Sequence, residues 1–322
     1  MTTPATRSTT GPNPSPASIP DLTGARILIT GPTSQVALPV VAQLAQNNDV
    51  HGLARFQKKE ARDQIEALGA KTLAVDLASG DFRDVPQDFD YVLHFAVVKT
   101  GDFDYDLRAN AEGVGLLMAH CREARAFLHC STAGVYHDAD NHPLKETDPL
   151  GDNHRVMMPT YSLCKISAES VVRTSARLFD LPTTIARFSV PYGDNGGWPW
   201  YHLMMMNAGA PIPVHNDGPS LYNLIHEDDY TNMIPSMLAN ASVPATTLNW
   251  GGSEATSIEE WCQYLGELTG LEPKLSPTEN TLRGIQLDPA LMHERVGRTE
   301  VAWKDGIRRM VEARNPELLK AD

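Results

Sequence analysis

From Ala25 onward, near-continuous apolar runs alternate with amphipathic segments. "ARILIT" (25–30), "VHGLAR" (50–55), "KTLAVDL" (71–77), "DYVLHFA" (90–96), "AFLHCST" (126–132) and "PTTIARFS" (182–189) read as strands buried on both faces. Between them, 35–46, 58–68, 104–125 and 161–179 carry helical spacing. Strands alternating with helices in this way predict a parallel sheet covered on both sides. Right-handed crossovers then make it a doubly wound, Rossmann-type α/β fold. After Val190 the texture changes, and 191–222 is rich in Pro, Gly, Trp, Met and Asn. "SIEEWCQYLGELTG" (257–270) predicts a helix with Ser257 as N-cap and Glu260 at the capping-box position, and 301–315 predicts a surface helix. The predicted organisation is a tail over 1–22, a Rossmann domain over 23–190 rejoined by 223–252, and a smaller C-terminal α/β substrate lobe from 191–222 and 253–318. The chain is expected to return to the sheet near "LYNLIHEDD" and "TTLNW".

Composition narrows the function classes. A formal net charge of -13 argues against a nucleic-acid partner, while leaving room for a small anion held by local arginines. The four cysteines form no C-x-x-C pair, which argues against a zinc ribbon or disulfide scaffold and fits a reducing cytoplasm. No apolar run reaches the ~18 residues of a membrane span, so no membrane partner is expected. The first residues, rich in Thr, Pro and Ser without an apolar core, read as a disordered tail rather than a secretory signal.

Four stretches carry candidate chemistry. "ITGPTSQVA" places Gly31, Ser34 and Ala37 where a phosphate-binding turn has three glycines. Small residues suit close backbone approach to a pyrophosphate, and Ser34 adds a hydroxyl, but a buried strand leading into an ordinary helix has the same pattern. Arg55, with Lys58 and Lys59 nearby, follows the second strand where an NAD-binding fold has an acidic residue. A guanidinium there suits a 2′-phosphate and favours NADP(H), with NAD(H) still possible; the alternative is a solvated basic cluster. Tyr161 and Lys165 in "YSLCK" are one helical turn apart on one face, so the ammonium is expected to lower the tyrosine pKa and prepare it for proton transfer. Ser131 and Thr132 end a strand about thirty residues earlier, where a hydroxyl can bond the same substrate oxygen or simply cap a turn.

Together these landmarks resemble the extended short-chain dehydrogenase/reductases, the group of nucleotide-sugar epimerases, dehydratases and related reductases. The resemblance runs over about residues 25–315 through "TGPTSQVA", "VDL", "LHFA", "NAEGVGLL", "STAGVY", "YSLCK", "ARFSVPYGD", "NLIHEDDY" and "LNWGGSEATSIEEW", in that order. It implies that Gly31, Ser34, Gln35 and Val36 lie against the pyrophosphate. It implies further that Asp76 and Leu77 hold the adenine, and that Phe95, Ala96 and Val97 line the ribose. Thr132, with Ser131 before it, matches the catalytic hydroxyl position. Tyr161 would be the acid/base, Lys165 would hold the nicotinamide ribose, and Phe188 to Val190 would flank the nicotinamide. Family members often form homodimers through the helices that here span 104–125 and 161–179.

Two departures bear on the substrate. Val190 stands where the sugar enzymes usually have Asn, and Tyr222 where they usually have an Arg that clamps the diphosphate. Trp198, Trp200, Tyr201 and Met204 to Met206 either wall an apolar substrate pocket or form plain core. His94, His202 and His226 read as structural, "HEDD" (226–229) as a capping element, and no metal is expected. The expected activity is therefore hydride transfer between a nicotinamide and a carbonyl or secondary alcohol of a small, partly apolar substrate, with Thr132, Tyr161 and Lys165 catalytic. Trp198, Met204 and Tyr222 are expected to touch substrate. The alternatives are a sugar epimerase or dehydratase that cycles a retained dinucleotide, and a dinucleotide sensor without turnover.

Overall fold

The computed structural model describes residues 18–137 and 141–320; residues 1–17 of the expected tail lie outside them. β1 (Arg26–Thr30), β2 (Asp49–Ala54), β3 (Lys71–Ala74), β4 (Tyr91–His94), β5 (Ala126–Thr132), β6 (Thr183–Phe188) and the strand Thr246–Trp250 form one parallel sheet. Its order is Thr246–Trp250, β6, β5, β4, β1, β2, β3. The chain builds outward from β1 to β3, then crosses back to β4 and builds the other way. The order therefore reverses between β1 and β4, and the crevice at their carboxyl ends is where such sheets bind ligands.

Successive side chains of a strand face opposite ways, and β1 shows what that does. Ile27 and Ile29 enter one core with Val40, Val41 and Leu44 of α1 (Ala37–Leu44). Leu28 enters the other with Val114, Leu117 and Met118 of α4 (Gly113–His120) and Ala168 and Val172 of α5 (Tyr161–Phe179). Each fully buried aliphatic side chain contributes roughly 1.5–3 kcal/mol. No helix among the described residues is long and apolar enough to cross a membrane.

Three elements differ from the sequence expectation. The helix expected over 104–125 is broken into α3 (Phe103–Leu107), a π-turn at Arg108–Glu112, and α4. The cause is Asn110, whose buried amide donates to the Asp106 carbonyl (2.7 Å) and the Val98 carbonyl (2.7 Å) and accepts from the Val98 N–H (2.8 Å). A side chain has taken a carbonyl that the helix ladder would use. The third strand stops at Ala74 rather than Leu77, because Asp76 accepts from the Ala78 N–H (3.0 Å) and caps a 3₁₀ turn, Leu77–Ser79. Of the stretches expected to return to the sheet, Thr246–Trp250 does so; Leu221–Tyr222 pairs with Thr256–Ser257, and Ile225–His226 with Pro191–Tyr192.

Three later helices, α6 (Trp198–Asn207), Ile258–Thr269 and Trp303–Arg314, share a separate core around Leu203, Met206, Trp261, Leu265, Ile307 and Met310. Ser257 and Glu260 close the expected capping box. His202 is buried and accepts from the Trp261 indole (2.9 Å), and His226 caps the helix that follows it, so both act structurally.

Candidate active site

β1 ends in Gly31, whose φ of +66° lies in the left-handed region. A Cβ there would sit 2.8 Å from the Ala96 Cα, so only glycine lets the loop touch the end of β4. Ser34 Oγ accepts from the Ala37 N–H (3.1 Å), steadying the start of α1 while keeping its own proton free to donate. Gly31 and Ser34 open onto a pocket of about 200 Å³. Arg55, Asp76, Leu77, Phe95, Ala96 and Val97 line it. A close-approach glycine, a serine hydroxyl and a half-open, mainly apolar slot fit the adenosine and pyrophosphate half of a dinucleotide. Val36 does not reach this pocket; it packs on the core beside α1.

A second cleft, of about 400 Å³, lies toward the C-terminal lobe. Thr132 enters it from the end of β5 and Tyr161 from the first turn of α5. Phe188, Val190, Trp198 and Tyr222 wall it, and Gln35 reaches its edge. Lys165, one turn beyond Tyr161, is buried and donates to the Cys130 carbonyl (2.7 Å). Burial lowers its pKa, opposed by the nearby Cys130 and Glu169.

Four expectations are corrected by this geometry. The Tyr161 pKa is not lowered: burial pushes the phenol up to about 12, and a hydrogen-bonding interaction with Thr132 offsets only part of that. The Lys165 ammonium donates to the Cys130 carbonyl (2.7 Å) rather than to the phenol. Ser131 is buried and gives its hydroxyl to Glu169 (2.7 Å), so that hydroxyl is not offered to a cofactor. Met204 faces the lobe core instead of the cleft. Met204 does not line the cleft, although it lies three residues beyond Tyr201 on α6. Tyr222 lines the cleft, but its hydroxyl is spent on the Arg283 carbonyl (3.0 Å).

The cleft also contains a residue that the sequence did not single out. His154 is buried, lines the cleft, and lies 5.4 Å from Tyr161 between ring centroids. Its ring occupies the place of a missing side chain: a Cβ on Gly134 would come within van der Waals overlap of the imidazole. Its backbone N–H donates to Ser162 Oγ (3.3 Å), and Ser162 in turn donates to the Gly134 carbonyl (2.7 Å). Burial, aided by the Lys99 charge, lowers its pKa to about 4, which keeps it neutral at pH 7. A lone histidine in a long loop has no spacing to mark it, so only the fold reveals it.

A family model described as "NAD dependent epimerase/dehydratase family" matches residues 27–251, from the start of β1 to the end of the last sheet strand. The chain belongs to this family. Several of the curated relatives bear sugar-nucleotide names. One is a trifunctional UDP-glucose 4,6-dehydratase/UDP-4-keto-6-deoxy-D-glucose 3,5-epimerase/UDP-4-keto-L-rhamnose-reductase of Arabidopsis thaliana, 25% identical over 90% of this chain and 48% of the relative. Another is the dTDP-glucose 4,6-dehydratase of Neisseria gonorrhoeae, 31% identical over 47% of this chain and 45% of the relative. The chain spans about half the length of these curated relatives. Among solved structures, the UDP-glucuronic acid 4-epimerase of Bacillus cereus, in complex with UDP-glucuronic acid and NAD, superposes with a TM-score of 0.75. It is 20% identical and covers 89% of this chain and 98% of its own, a likeness that shows the fold.

Proposed function

We propose that the protein oxidises and re-reduces a secondary alcohol of a sugar-type substrate on a dinucleotide that it retains, as an epimerase does. The observation that carries this reading is the convergence of Thr132 and Tyr161 in one cleft beside the Gly31 loop, with Lys165 buried behind them. When bound, a nicotinamide dinucleotide supplies the two-electron acceptor and donor. The chain supplies the proton chemistry. With its pKa near 12, Tyr161 is protonated at pH 7 and is ready to donate to a carbonyl oxygen, which Thr132 orients. In the opposite direction it must first be deprotonated, and Lys165 is the buried cation one turn away that would support the phenolate once its hold on Cys130 is relaxed.

The cleft favours epimerisation over dehydration. Elimination of water needs a base for the carbon proton and an acid for the leaving hydroxyl, beyond the pair that handles the carbonyl. No carboxylate lines the cleft among the described residues; besides its tyrosines, its titratable groups are His154 and Lys99. A second reading, a reductase that exchanges cofactor every turnover, is supported by the apolar walls and by Val190 and Tyr222 in place of polar diphosphate partners. Denaturing the purified protein and chromatographing what it releases separates the two. Near-stoichiometric dinucleotide supports the retained cycle; a protein that releases none, yet binds added dinucleotide, refutes it in favour of the reductase. Leu116 on α4 and Leu163 and Leu178 on α5 are exposed, which supports a homodimer through these helices, testable by sedimentation.

A further inference from the structure

The adenosine pocket has a polar strap across its mouth. The Arg55 guanidinium donates to the Tyr105 hydroxyl (3.1 Å), and that hydroxyl donates to Asp76 Oδ2 (3.0 Å). Arg55 follows β2 and Asp76 follows β3, so one phenol joins the two strand ends that flank the pocket. The charges at its two ends are opposite, and both groups hydrogen-bond the same neutral hydroxyl. Of the two lysines nearby, Lys59 binds Asp63 (2.6 Å) on its own helix, α2 (Lys59–Ala67).

The turn that carries Tyr105 is anchored on both sides of it. Its backbone N–H is capped by Asp102 (3.1 Å), at the start of α3. The next residue, Asp106, is fully buried and accepts from the Thr100 hydroxyl (2.7 Å), the Thr100 and Gly101 N–H groups (3.1 and 3.0 Å) and the Thr160 hydroxyl (2.7 Å). Burial would raise the Asp106 pKa, but these donors outweigh it and hold the carboxyl ionised. Because Thr160 immediately precedes Tyr161, the same anchor ties the strap to the start of the catalytic helix.

We propose that Tyr105 sets the cofactor preference, by engaging Arg55 and balancing it against Asp76 so that the pocket takes NAD(H) in preference to NADP(H). A 2′-phosphate that pairs with Arg55 must either displace Tyr105 from Nη1 or make do with the donors Tyr105 leaves, and in both cases it sits near the Asp76 charge. A ribose 2′-hydroxyl needs neither. The inference reverses the preference that Arg55 suggests in the sequence, and it rests on the dinucleotide reading given above.

The test is binding of NAD⁺ and of NADP⁺, by calorimetry, to protein stripped of any retained dinucleotide. The wild-type chain should bind NAD⁺ at least about tenfold more tightly. Tyr105→Phe, which keeps the ring and removes the bridge, should lose most of that margin by binding NADP⁺ more tightly. Adding Arg55→Met to Tyr105→Phe should remove the gain, because the freed guanidinium is its source. Equal affinities in the wild type, or a ratio that Tyr105→Phe does not move, would overturn the assignment and leave the dinucleotide reading standing. Failure of the wild type to bind either dinucleotide would overturn both. A thermal melt of each variant within a few degrees of the wild type shows that the comparison is between folded proteins.

Discussion

Replacing Glu169 with Gln should destabilise the fold severely, although the two side chains have nearly the same shape. Glu169 is fully buried on α5, under the end of β5. Its Oε1 accepts from Arg187 Nε (3.0 Å) and Ser131 Oγ (2.7 Å), and its Oε2 from Arg187 Nη2 (2.9 Å) and Arg173 Nη1 (3.2 Å). Burial works to raise its pKa, but the Arg187 hydrogen bonds and charge, with Ser131, outweigh that and lower it. In the Gln variant the N–H₂ faces an Arg187 donor whichever way the amide turns, so one of the paired bonds is lost, and the buried Arg187 charge loses its counter-ion. Breaking one partner of a buried pair in this way costs roughly 3–5 kcal/mol, whereas the half-exposed Arg173 contact adds well under about 1 kcal/mol. That is a large part of the ~5–15 kcal/mol that holds an ordinary domain together. Urea denaturation of both proteins at pH 7 measures the loss. Because the folded pKa is depressed, the contribution is present above the unfolded carboxyl pKa and disappears as pH falls through the folded one, so the gap between the two proteins should narrow on acidification. A loss below about 1 kcal/mol at pH 7, or a gap that does not narrow before both proteins unfold, would refute the reasoning. The effect reaches the site because Ser131, which Glu169 holds, immediately precedes Thr132 on β5.

Further outcomes follow from the same geometry. Tyr161→Phe should lower turnover by about 10²–10⁴-fold while dinucleotide affinity, measured by calorimetry, stays within about threefold; equal loss of both would point to a binding role. Gly31→Ala combines a left-handed φ with a Cβ 2.8 Å from Ala96, and should weaken dinucleotide binding more than tenfold. Gly134→Ala should displace the His154 ring and so change the cleft without touching Tyr161; unchanged imidazole resonances in a nitrogen-labelled NMR spectrum would contradict that. Burial lowers His94, His154 and His202 to about 3, 4 and 4, with nearby lysine charges assisting in the first two. Since the unfolded chain takes up protons near pH 6.5 and the folded one does not, stability is full above about 6.5 and falls toward pH 4, by roughly 2 kcal/mol per histidine at pH 5. Glu227, which burial pushes up to about 7, opposes this as a single group, so a urea midpoint that rises between pH 7 and pH 5 would refute the prediction.

The sequence by itself determined the sheet, its parallel sense and the order of its landmarks, because buried parallel strands must be apolar throughout and the helices between them must be amphipathic. It also brought Thr132, Tyr161 and Lys165 into view, since a strand end and a helical turn are local geometry. Distance in the chain hid the rest. Asn110 breaks a helix that its local pattern allows, because its partners Val98 and Asp106 become available only in the folded chain. Ser131 looks like a site hydroxyl until Glu169, 38 residues later, takes it. The charge beside Tyr161 was legible, but the desolvation that raises its pKa depends on everything packed around it. Arg55 reads as a phosphate ligand until Tyr105 comes over from another element to engage it. Local pattern fixes which residue types meet a strand end or a helix face. Which of them keep a free hydrogen bond or charge is decided by partners that only tertiary folding brings within reach.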